Sequence, residues 1–324
     1  MRAAIHHTFR AYGTITGKLR PLPDFLIIGT KRGGTTSLYR YLLRHPAVLP
    51  LFPFANVGTL KGVHYFDEQF DRGPLWYRSH FRSKPYLAAA ERLRGHGLLN
   101  GEATPNYLFY PLTAVRARAT IPDAKIIALL RNPVDRAYSH YRDMVKLGLE
   151  PLSFEEAIEH EPARLDGELE KLLADPGYVS VAYDRYSYLA RGRYVQQVAA
   201  WIEAFPIEQL LILPSEDLYT NPGSVYQRVL GFLGLPALDL PSYRRHNGLP
   251  AARLDHAVRR RLAEYFAPHN QALFELLGMD FGWDRVAPPA GPTSTPKPIG
   301  GSARATTCDE SNDELLTWRS NVER

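Results

Sequence analysis

The sequence has few cysteines and no long hydrophobic run. It contains one cysteine, Cys308, in 324 residues. A lone cysteine excludes an intrachain disulfide and a zinc site built from cysteines. No apolar run approaches 18 residues, so the sequence predicts no membrane-spanning helix. The N-terminus is basic and lacks a continuous apolar core, which argues against a secretory signal. No cluster of metal-ligating residues is recognisable, and no metal is predicted.

The composition is that of a soluble globular protein with excess positive charge. Hydrophobic residues make up 45% and charged residues 23%, which is the ordinary range. The length allows one large α/β domain or two small ones. A net charge of +5 suits an anionic partner, such as nucleic acid, a phosphonucleotide or an acidic glycan, and charge alone does not choose among them.

The chain divides into three parts by composition. Residues 1–22 are predicted to be a basic, weakly ordered lead-in, and residues 23–284 a folded domain. In residues 285–324, proline, serine and threonine replace the apolar pattern, which predicts a disordered tail. Buried strands alternate with helical patterns inside the domain, at 25–28, 125–130 and 210–213. This alternation predicts a single α/β domain with a doubly wound parallel sheet flanked by helices.

Several local patterns give finer expectations. Residues 61–66 (KGVHYF) favour a short strand, whereas residues 47–60 favour a loop and residues 101–105 (GEATP) a polar turn. The apolar spacing from 186 to 205 predicts a helix. Asn132, followed by a proline, predicts a helix N-terminus.

The stretch that says most about function is a glycine-rich loop between a strand and a helix. Residues 25–28 are an apolar run, 29–34 read GTKRGG, and Thr35, Thr36 and Ser37 open a helical pattern. Backbone N–H groups, the helix dipole and the charge of Lys31 would converge there on an anion. The loop of nucleotide triphosphatases has lysine directly after its last glycine, but this chain has Thr35 at that position.

Two motifs resemble those of sulfotransferases that use 3′-phosphoadenosine 5′-phosphosulfate (PAPS). The loop is similar to the family's phosphosulfate loop, F-L-I-I-G-x-x-[KR]-x-G-T-[TS]-x-L. About 100 residues later, residues 125–142 (KIIALLRNPVDRAYSHYR) are similar to a strand followed by R-[ND]-P-x-[DE]-R-A-x-S-x-[YW]. The resemblance extends over residues 24–283 and is greatest to the Golgi-type, glycan-sulfating branch and its bacterial relatives. Golgi members carry an anchor helix, which is not seen here, so we expect a cytoplasmic protein.

The resemblance implies roles for residues around the nucleotide. Lys31 would contact the oxygen that bridges sulfur and phosphorus, and Arg131 and Ser139 would bind the 3′-phosphate. The remaining implied nucleotide ligands are the loop and helix residues Arg32, Gly33, Gly34, Thr35, Thr36 and Ser37, then Tyr186, and a late loop containing Arg244, Arg245, His246 and Asn247. The bound product would be 3′,5′-adenosine bisphosphate.

The acceptor side departs from the family pattern. The glycan branch reads K-E-x-H-[FY]-F-D there, and its glutamate is usually taken as the base, but this chain has Gly62 instead. Histidine is suited to proton transfer near neutral pH, so His64 is the first candidate base, with Glu102 and Asp67 behind it. Trp76 could stack on a sugar or pack in the core. Heparan-modifying enzymes carry a lysine where this chain has Ala103, and this difference weakens the case for a heparan-like acceptor.

The sequence therefore predicts a PAPS-dependent sulfotransferase that needs no metal. The acceptor would be a hydroxyl group on a carbohydrate or a glycosylated small molecule, with neither nucleic acid nor a membrane span involved. Two other classes of function stay open. One is a P-loop kinase or triphosphatase, which would require magnesium and prefer ATP; the other is a non-catalytic module that binds anionic glycan or nucleotide.

Overall fold

The computed structural model describes residues 2–53, 61–175, 177–246, 248 and 253–283. These residues contain five strands in one parallel sheet, in the spatial order β2-β3-β1-β4-β5. The strands are β1 Phe25–Gly29, β2 Val48–Leu49, β3 Leu99–Ala103, β4 Lys125–Leu130 and β5 Leu210–Pro214. The three strands predicted from apolar runs are confirmed as β1, β4 and β5. The described residues all belong to one unit, Met1–Asp284, and the predicted tail of residues 285–324 lies outside them.

Fourteen α-helices complete the described residues. They are α1 Arg2–Ile15, α2 Thr35–Leu42, α3 Gly73–Arg78, α4 Lys84–Arg94, α5 Thr113–Thr120, α6 Pro133–Lys146, α7 Phe154–Glu159, α8 Glu161–Leu165, α9 Glu168–Ala174, α10 Val181–Arg185, α11 Tyr194–Ala204, α12 Ser215–Thr220, α13 Pro222–Leu233 and α14 His256–Leu277. Single 3₁₀ turns lie at Gly17–Leu19, Phe70–Arg72, Ala190–Gly192 and Ile207–Gln209. No helix in the described ranges is both long and apolar enough to cross a membrane.

Alternate residues of the central strands face two separate cores. Leu26 and Ile28 of β1 point to one face, where side chains of α5, α11 and α14 cover them. Phe25 and Ile27 point to the other face, against α2 and α13. Because successive side chains of a strand face opposite sides, both faces of the sheet are covered. This is the doubly wound arrangement that the sequence predicted.

Two of the finer expectations, the turn at residues 101–105 and the strand at residues 61–66, were wrong. Residues 101–105, expected to be a turn, contribute to β3, whose buried polar side chains hide it from a hydrophobic pattern. Residues 61–66, expected to be a strand, form a loop and turn. The N–H of Val63 donates to the Glu102 side chain and that of Tyr65 to the hydroxyl of Tyr107. Those N–H groups are therefore used by side chains rather than by a strand ladder.

Other local predictions were confirmed or corrected. Asn132 caps α6, since its Oδ1 accepts from the N–H groups of Val134 and Asp135 at 3.0 and 3.4 Å. The helix predicted for residues 186–205 begins only at Tyr194, and the loop predicted for residues 47–60 contains β2.

The segment before residue 23, expected to be weakly ordered, contains helix α1. Arg10 of α1 donates to Ser79 Oγ at 3.0 Å and to the carbonyl of Phe52 at 3.2 Å. Gly13 allows the helix to approach α3 closely, because a Cβ there would lie 2.8 Å from the carbonyl oxygen of Ser79. Contacts distant in sequence therefore order this helix.

Candidate active site

The glycine-rich loop leaves the carboxyl end of β1 and enters α2. Gly34 is the N-cap of α2 and has a φ of +93°, a left-handed conformation that glycine adopts without strain. The loop is tied down by Ser215, whose hydroxyl donates to the carbonyl of Gly33 at 2.7 Å. The free N–H groups of the first turn of α2 and its dipole therefore face the end of the sheet, as an anion site requires.

The second motif lies beside this loop because β4 is the neighbour of β1. The chain continues from β1 to β2 and β3 on one side, and β4 and β5 lie on the other. A crevice opens at such a reversal of strand order, outside the carboxyl ends of the strands. Arg131 follows β4 directly and donates to the carbonyl of Arg32 at 3.1 Å. The fold thus brings together two motifs that lie about 100 residues apart.

Arginine side chains form a cationic wall in this crevice. Arg32 donates to Ser139 Oγ at 3.2 Å and pairs with Asp143 at 3.1 Å. The guanidinium groups of Arg131 and Arg245 lie 5.7 and 4.3 Å from the ring centroid of Tyr219. We call Arg32, Arg131, Arg245 and Ser139 the arginine wall. Planar, permanently charged guanidinium groups are suited to phosphate.

Lys31 is held by an ion pair with Asp184. Its Nζ donates to Oδ1 of Asp184 at 2.9 Å and to the carbonyl of the same residue at 3.0 Å. Arg191 approaches the same carboxylate oxygen at 3.4 Å. Burial alone would raise the pKa of Asp184, but the charges of Lys31 and Arg191 lower it to about 2. Burial in turn lowers the pKa of Lys31, which Asp184 opposes.

Sequence reasoning missed Asp184 and placed the family's basic position on Lys31. Counted from Gly29, the basic position of the loop pattern falls on Arg32, not on Lys31. Arg32 also lies among the implied phosphate ligands, whereas Lys31 is held by a carboxylate. The role of Lys31 at the bridging oxygen stays a prediction, with Arg32 as its competitor. Asp184 lies 153 residues from Lys31 and outside both motifs, so no sequence pattern pointed to it.

The late loop packs along α2. Ser37 Oγ accepts from the N–H of His246 at 2.9 Å, and the hydroxyl of Tyr41 donates to the carbonyl of Arg244 at 3.0 Å. Thr36 Oγ1 accepts from Nζ of Lys61 at 2.7 Å. The predicted ligands Arg244, Arg245 and His246 thus lie close to the phosphate loop, while Asn247 lies outside the described residues.

Tyr186 makes contacts typical of a structural residue. Its hydroxyl donates to the carbonyl of Leu149 at 3.2 Å, and the guanidinium of Arg164 lies 4.3 Å from its ring centroid. Its predicted role as a nucleotide ligand gains no support from this placement and stays a prediction.

Glu102, one of the candidate bases, is enclosed by donors. It is 0% exposed, and its carboxylate accepts from four groups: the N–H of Val63 and the hydroxyls of Thr104, Tyr77 and Tyr107, at 2.7 to 2.9 Å. Burial raises its pKa, and the four hydrogen bonds oppose that effect. These bonds join the turn after residue 61 to β3. A carboxylate so enclosed has no free face for an acceptor hydroxyl.

His64 belongs to a second charged cluster, with Asp67 and Glu68. Its Nδ1 lies 2.9 Å from Asp67 Oδ2 and 3.6 Å from Glu68 Oε1. Burial works against protonation, but the two carboxylates raise the pKa of His64 to about 10. The ring is therefore protonated at neutral pH, which disfavours His64 as a base in this state. We call these three residues the His64 cluster.

The His64 cluster is also where a metal could be considered. Within the described ranges it is a group of three histidine or acidic side chains whose ligand atoms lie within 4.8 Å of one another. A protonated imidazole that donates from Nδ1 to Asp67 offers that nitrogen to no metal. The arrangement is instead a compact ion-pair cluster.

Trp76, predicted to bind substrate, packs at the edge of the core. Its ring centroid lies 4.5 Å from that of His80 and 6.2 Å from that of Tyr65. This packing favours the structural alternative, and binding of an acceptor by Trp76 stays a prediction.

Comparisons with known proteins agree with the geometry. The model of the sulfotransferase domain matches residues 22–247. The membrane-associated sulfotransferase kil1 of Dictyostelium discoideum is 28% identical, over 83% of this chain and 68% of its own length. Human heparan sulfate glucosamine 3-O-sulfotransferase 6 is also 28% identical, over 82% of this chain and 74% of its own length. A solved sulfotransferase from Alicyclobacillus acidocaldarius is 31% identical with a TM-score of 0.59, covering 82% of this chain and 100% of that one.

The parallel sheet, the glycine loop and the arginine wall define an α/β protein with groups suited to an anion at the carboxyl end of its sheet. The chain belongs to the sulfotransferase family. The family resemblance predicted from the two motifs is thus confirmed.

Proposed function

We propose that the protein transfers the sulfuryl group of PAPS to a hydroxyl group of a carbohydrate or glycosylated acceptor. The observation that carries this proposal is the pairing of two anion-binding sets in one crevice. The loop with Arg32 and the first turn of α2 form one set, and the other members of the arginine wall, Arg131, Arg245 and Ser139, form the second. A donor with phosphate groups at both its 3′ and 5′ positions matches two sets better than a simple nucleotide does.

The residues present fit such a donor. The loop from Gly33 through Ser37 offers backbone and hydroxyl donors for the 5′-phosphosulfate, and Arg131 and Ser139 would hold the 3′-phosphate. Transfer breaks the bond between sulfur and the bridging oxygen, so negative charge grows on that oxygen. A positioned cation at the loop offsets that charge. Arg32 fits this role by its position in the loop pattern, and Lys31 fits it once it leaves Asp184.

Two observations support a carbohydrate acceptor, and a third narrows its class. The human relative is named for heparan sulfate glucosamine. Next to Lys31, the His64 cluster and the Asp184 carboxylate supply polar groups that can bind hydroxyls. The absence of a lysine at Ala103 speaks against a heparan-like chain in particular, so we propose the broader class of sugar hydroxyls.

The test is calorimetric titration with 3′,5′-adenosine bisphosphate, ATP and ADP in a chelator. We expect micromolar binding of the bisphosphate and much weaker binding of ATP and ADP, because only the bisphosphate presents a 3′-phosphate to the arginine wall. A preference for ATP that appears once magnesium is added would overturn the proposal in favour of a kinase. Bisphosphate binding without any turnover of PAPS would favour a non-catalytic binding module.

The cation at the leaving oxygen can be identified with two matched variants, Lys31→Gln and Arg32→Gln. The residue that acts there should lose kcat by about 100-fold when changed, the scale of one oxyanion-stabilising group. The other variant should change mainly the affinity for the bisphosphate. Equal and small effects of both on kcat would contradict a cationic role for this loop.

A further inference from the structure

The turn that carries the His64 cluster leaves one carboxylate partly exposed, that of Glu68, which interacts electrostatically with Asp184 and Lys31. His64 has a φ of +54°, which is uncommon for a residue with a side chain. Its carbonyl accepts from the N–H groups of Glu68 and Gln69 at 3.2 and 3.0 Å. This closed turn fixes Glu68 next to His64. The Glu68 side chain is 25% exposed, so solvent can reach it.

The neighbouring carboxylates already accept hydrogen bonds from other groups of the protein. Glu102 is enclosed by four donors. Asp67 accepts from His64 Nδ1, from Nδ2 of Asn106 at 3.1 Å and from the N–H of Glu68 at 2.9 Å. Asp184 accepts from Lys31 and is a weak base, because its pKa is low. Glu68 shares only the longer 3.6 Å contact with His64 among the ion pairs of this cluster.

Charged groups from several segments set the proton affinity of Glu68. Burial raises its pKa to about 7, together with the negative charges of Asp67 and Asp184; His64 and Lys31 oppose the rise. Tyr110, on the segment after β3, also interacts with this carboxylate and is itself uncharged near neutral pH. A carboxylate with a proton affinity near neutrality is suited to accept and then release a proton at physiological pH.

We propose that Glu68 is the general base that takes the proton of the acceptor hydroxyl, an inference that rests on the proposed sulfuryl transfer. A new bond forms between the acceptor oxygen and sulfur, and the bond from sulfur to the bridging phosphate oxygen breaks. The electron pair of the broken bond stays on the 5′-phosphate of the bisphosphate. The hydroxyl proton passes to Glu68 and then to solvent. His64 and Asp67 hold this carboxylate in place and are positioning residues.

The experiment compares the wild-type protein with Glu68→Gln, His64→Gln and a control, Glu203→Gln, which changes an exposed residue on α11. Each protein is first titrated with 3′,5′-adenosine bisphosphate. Turnover of ³⁵S-labelled PAPS is then measured from pH 5.5 to 9, with p-nitrophenyl β-D-glucopyranoside, a glycosylated small molecule, as acceptor and with water alone. The hydrolysis assay makes turnover measurable whichever sugar the protein prefers.

We expect Glu68→Gln to bind the bisphosphate within about threefold of wild type and to lose kcat by about 100-fold or more, the usual contribution of a general base. The wild-type rate should rise with pH through about 7, and that rise should disappear in Glu68→Gln. The control should match the wild type in affinity and rate.

The two proposals fail in distinguishable ways. If the wild type does not bind the bisphosphate, the donor assignment itself is refuted. If it binds and turns over PAPS while Glu68→Gln keeps both its rate and its pH dependence, only the base proposal is refuted. Loss of the pH-dependent rise in His64→Gln but not in Glu68→Gln would give the role to His64 and overturn the proposal. A wild type that binds the bisphosphate but turns over no PAPS, with either acceptor, would overturn the base proposal together with the transfer activity.

Discussion

The ion pair between Lys31 and Asp184 allows a quantitative prediction about stability and pH. The pKa of Asp184 is lowered from 3.8 to about 2, and each pH unit of such a difference corresponds to ~1.4 kcal/mol. The charged carboxylate is therefore favoured in the folded protein by about 2.5 kcal/mol. Asp184→Asn keeps an oxygen that can accept from Lys31 but removes the charge. We expect this variant to lose about 2.5 kcal/mol of unfolding free energy at pH 7.

The lowered pKa of Asp184 also predicts how the stability difference between wild type and variant changes with pH. A carboxyl group whose pKa is lowered by folding stabilises the protein above its unfolded pKa, near 4, and this stabilisation is lost as the pH falls through about 2. The difference between wild type and Asp184→Asn should thus be full at pH 7 and 5 and reduced at pH 3.

Urea denaturation at these three pH values measures the difference. Asp123→Asn, an exposed carboxylate after α5, is the matched control and should change little. A variant as stable as wild type at pH 7, or a difference that does not shrink at pH 3, would refute the charge argument.

Three further predictions follow from the site. Arg131→Ala should weaken binding of 3′,5′-adenosine bisphosphate by at least about tenfold, since a charged hydrogen bond contributes ~1.5–3 kcal/mol; AMP, which lacks the 3′-phosphate, should bind unchanged, and exposed Arg228→Ala should have no effect on either. Glu102→Ala should lower the unfolding free energy by about 3 kcal/mol or more, because four donors lose their acceptor; a loss below about 1 kcal/mol in urea denaturation would contradict this. Asp67→Asn should lower the pKa of His64 from about 10 toward its ordinary value near 6.5, as followed by NMR titration of the ring. In the wild type, the stability due to His64 is present below pH ~6.5 and is lost as the pH rises through about 10; an unchanged NMR titration would exclude Asp67 as the cause.

The geometry of the glycine loop and of the neighbouring arginine was predictable because its signals are local. A strand, a glycine loop and a helix start lie within residues 25–37, and backbone geometry alone makes such a unit an anion site. Arg131 follows a buried strand in the same way. Parallel pairing of β1 with β4 then places both motifs at one edge of the sheet, a step that the doubly wound fold already implies.

The proposed acceptor side was not predictable to the same degree, because its contacts join distant segments through side chains. The turn after residue 61 is held by Glu102 and Tyr107, about 40 residues away. The local aromatic pattern contains no sign of these contacts, and it predicted a strand instead. Lys31 pairs with Asp184, which lies 153 residues later in the sequence. Glu68 had one local signal, its position next to Asp67 in a sequence already read as part of the acceptor site. What singles it out is the set of contacts that occupy its neighbours.

The central position of β1 has a consequence for synthesis on the ribosome. Its ladder partners β3 and β4 begin about 70 and about 95 residues further along the chain. At ~5–20 residues per second, β4 is made roughly 5–20 s after β1. During the first part of that interval β1 has no ladder partner, and later it can pair with β3 alone, so its other edge stays uncovered. We therefore expect the nascent chain to expose the β4 edge of this strand to chaperones until residue 130 has emerged, and Arg131 to reach the glycine loop only then.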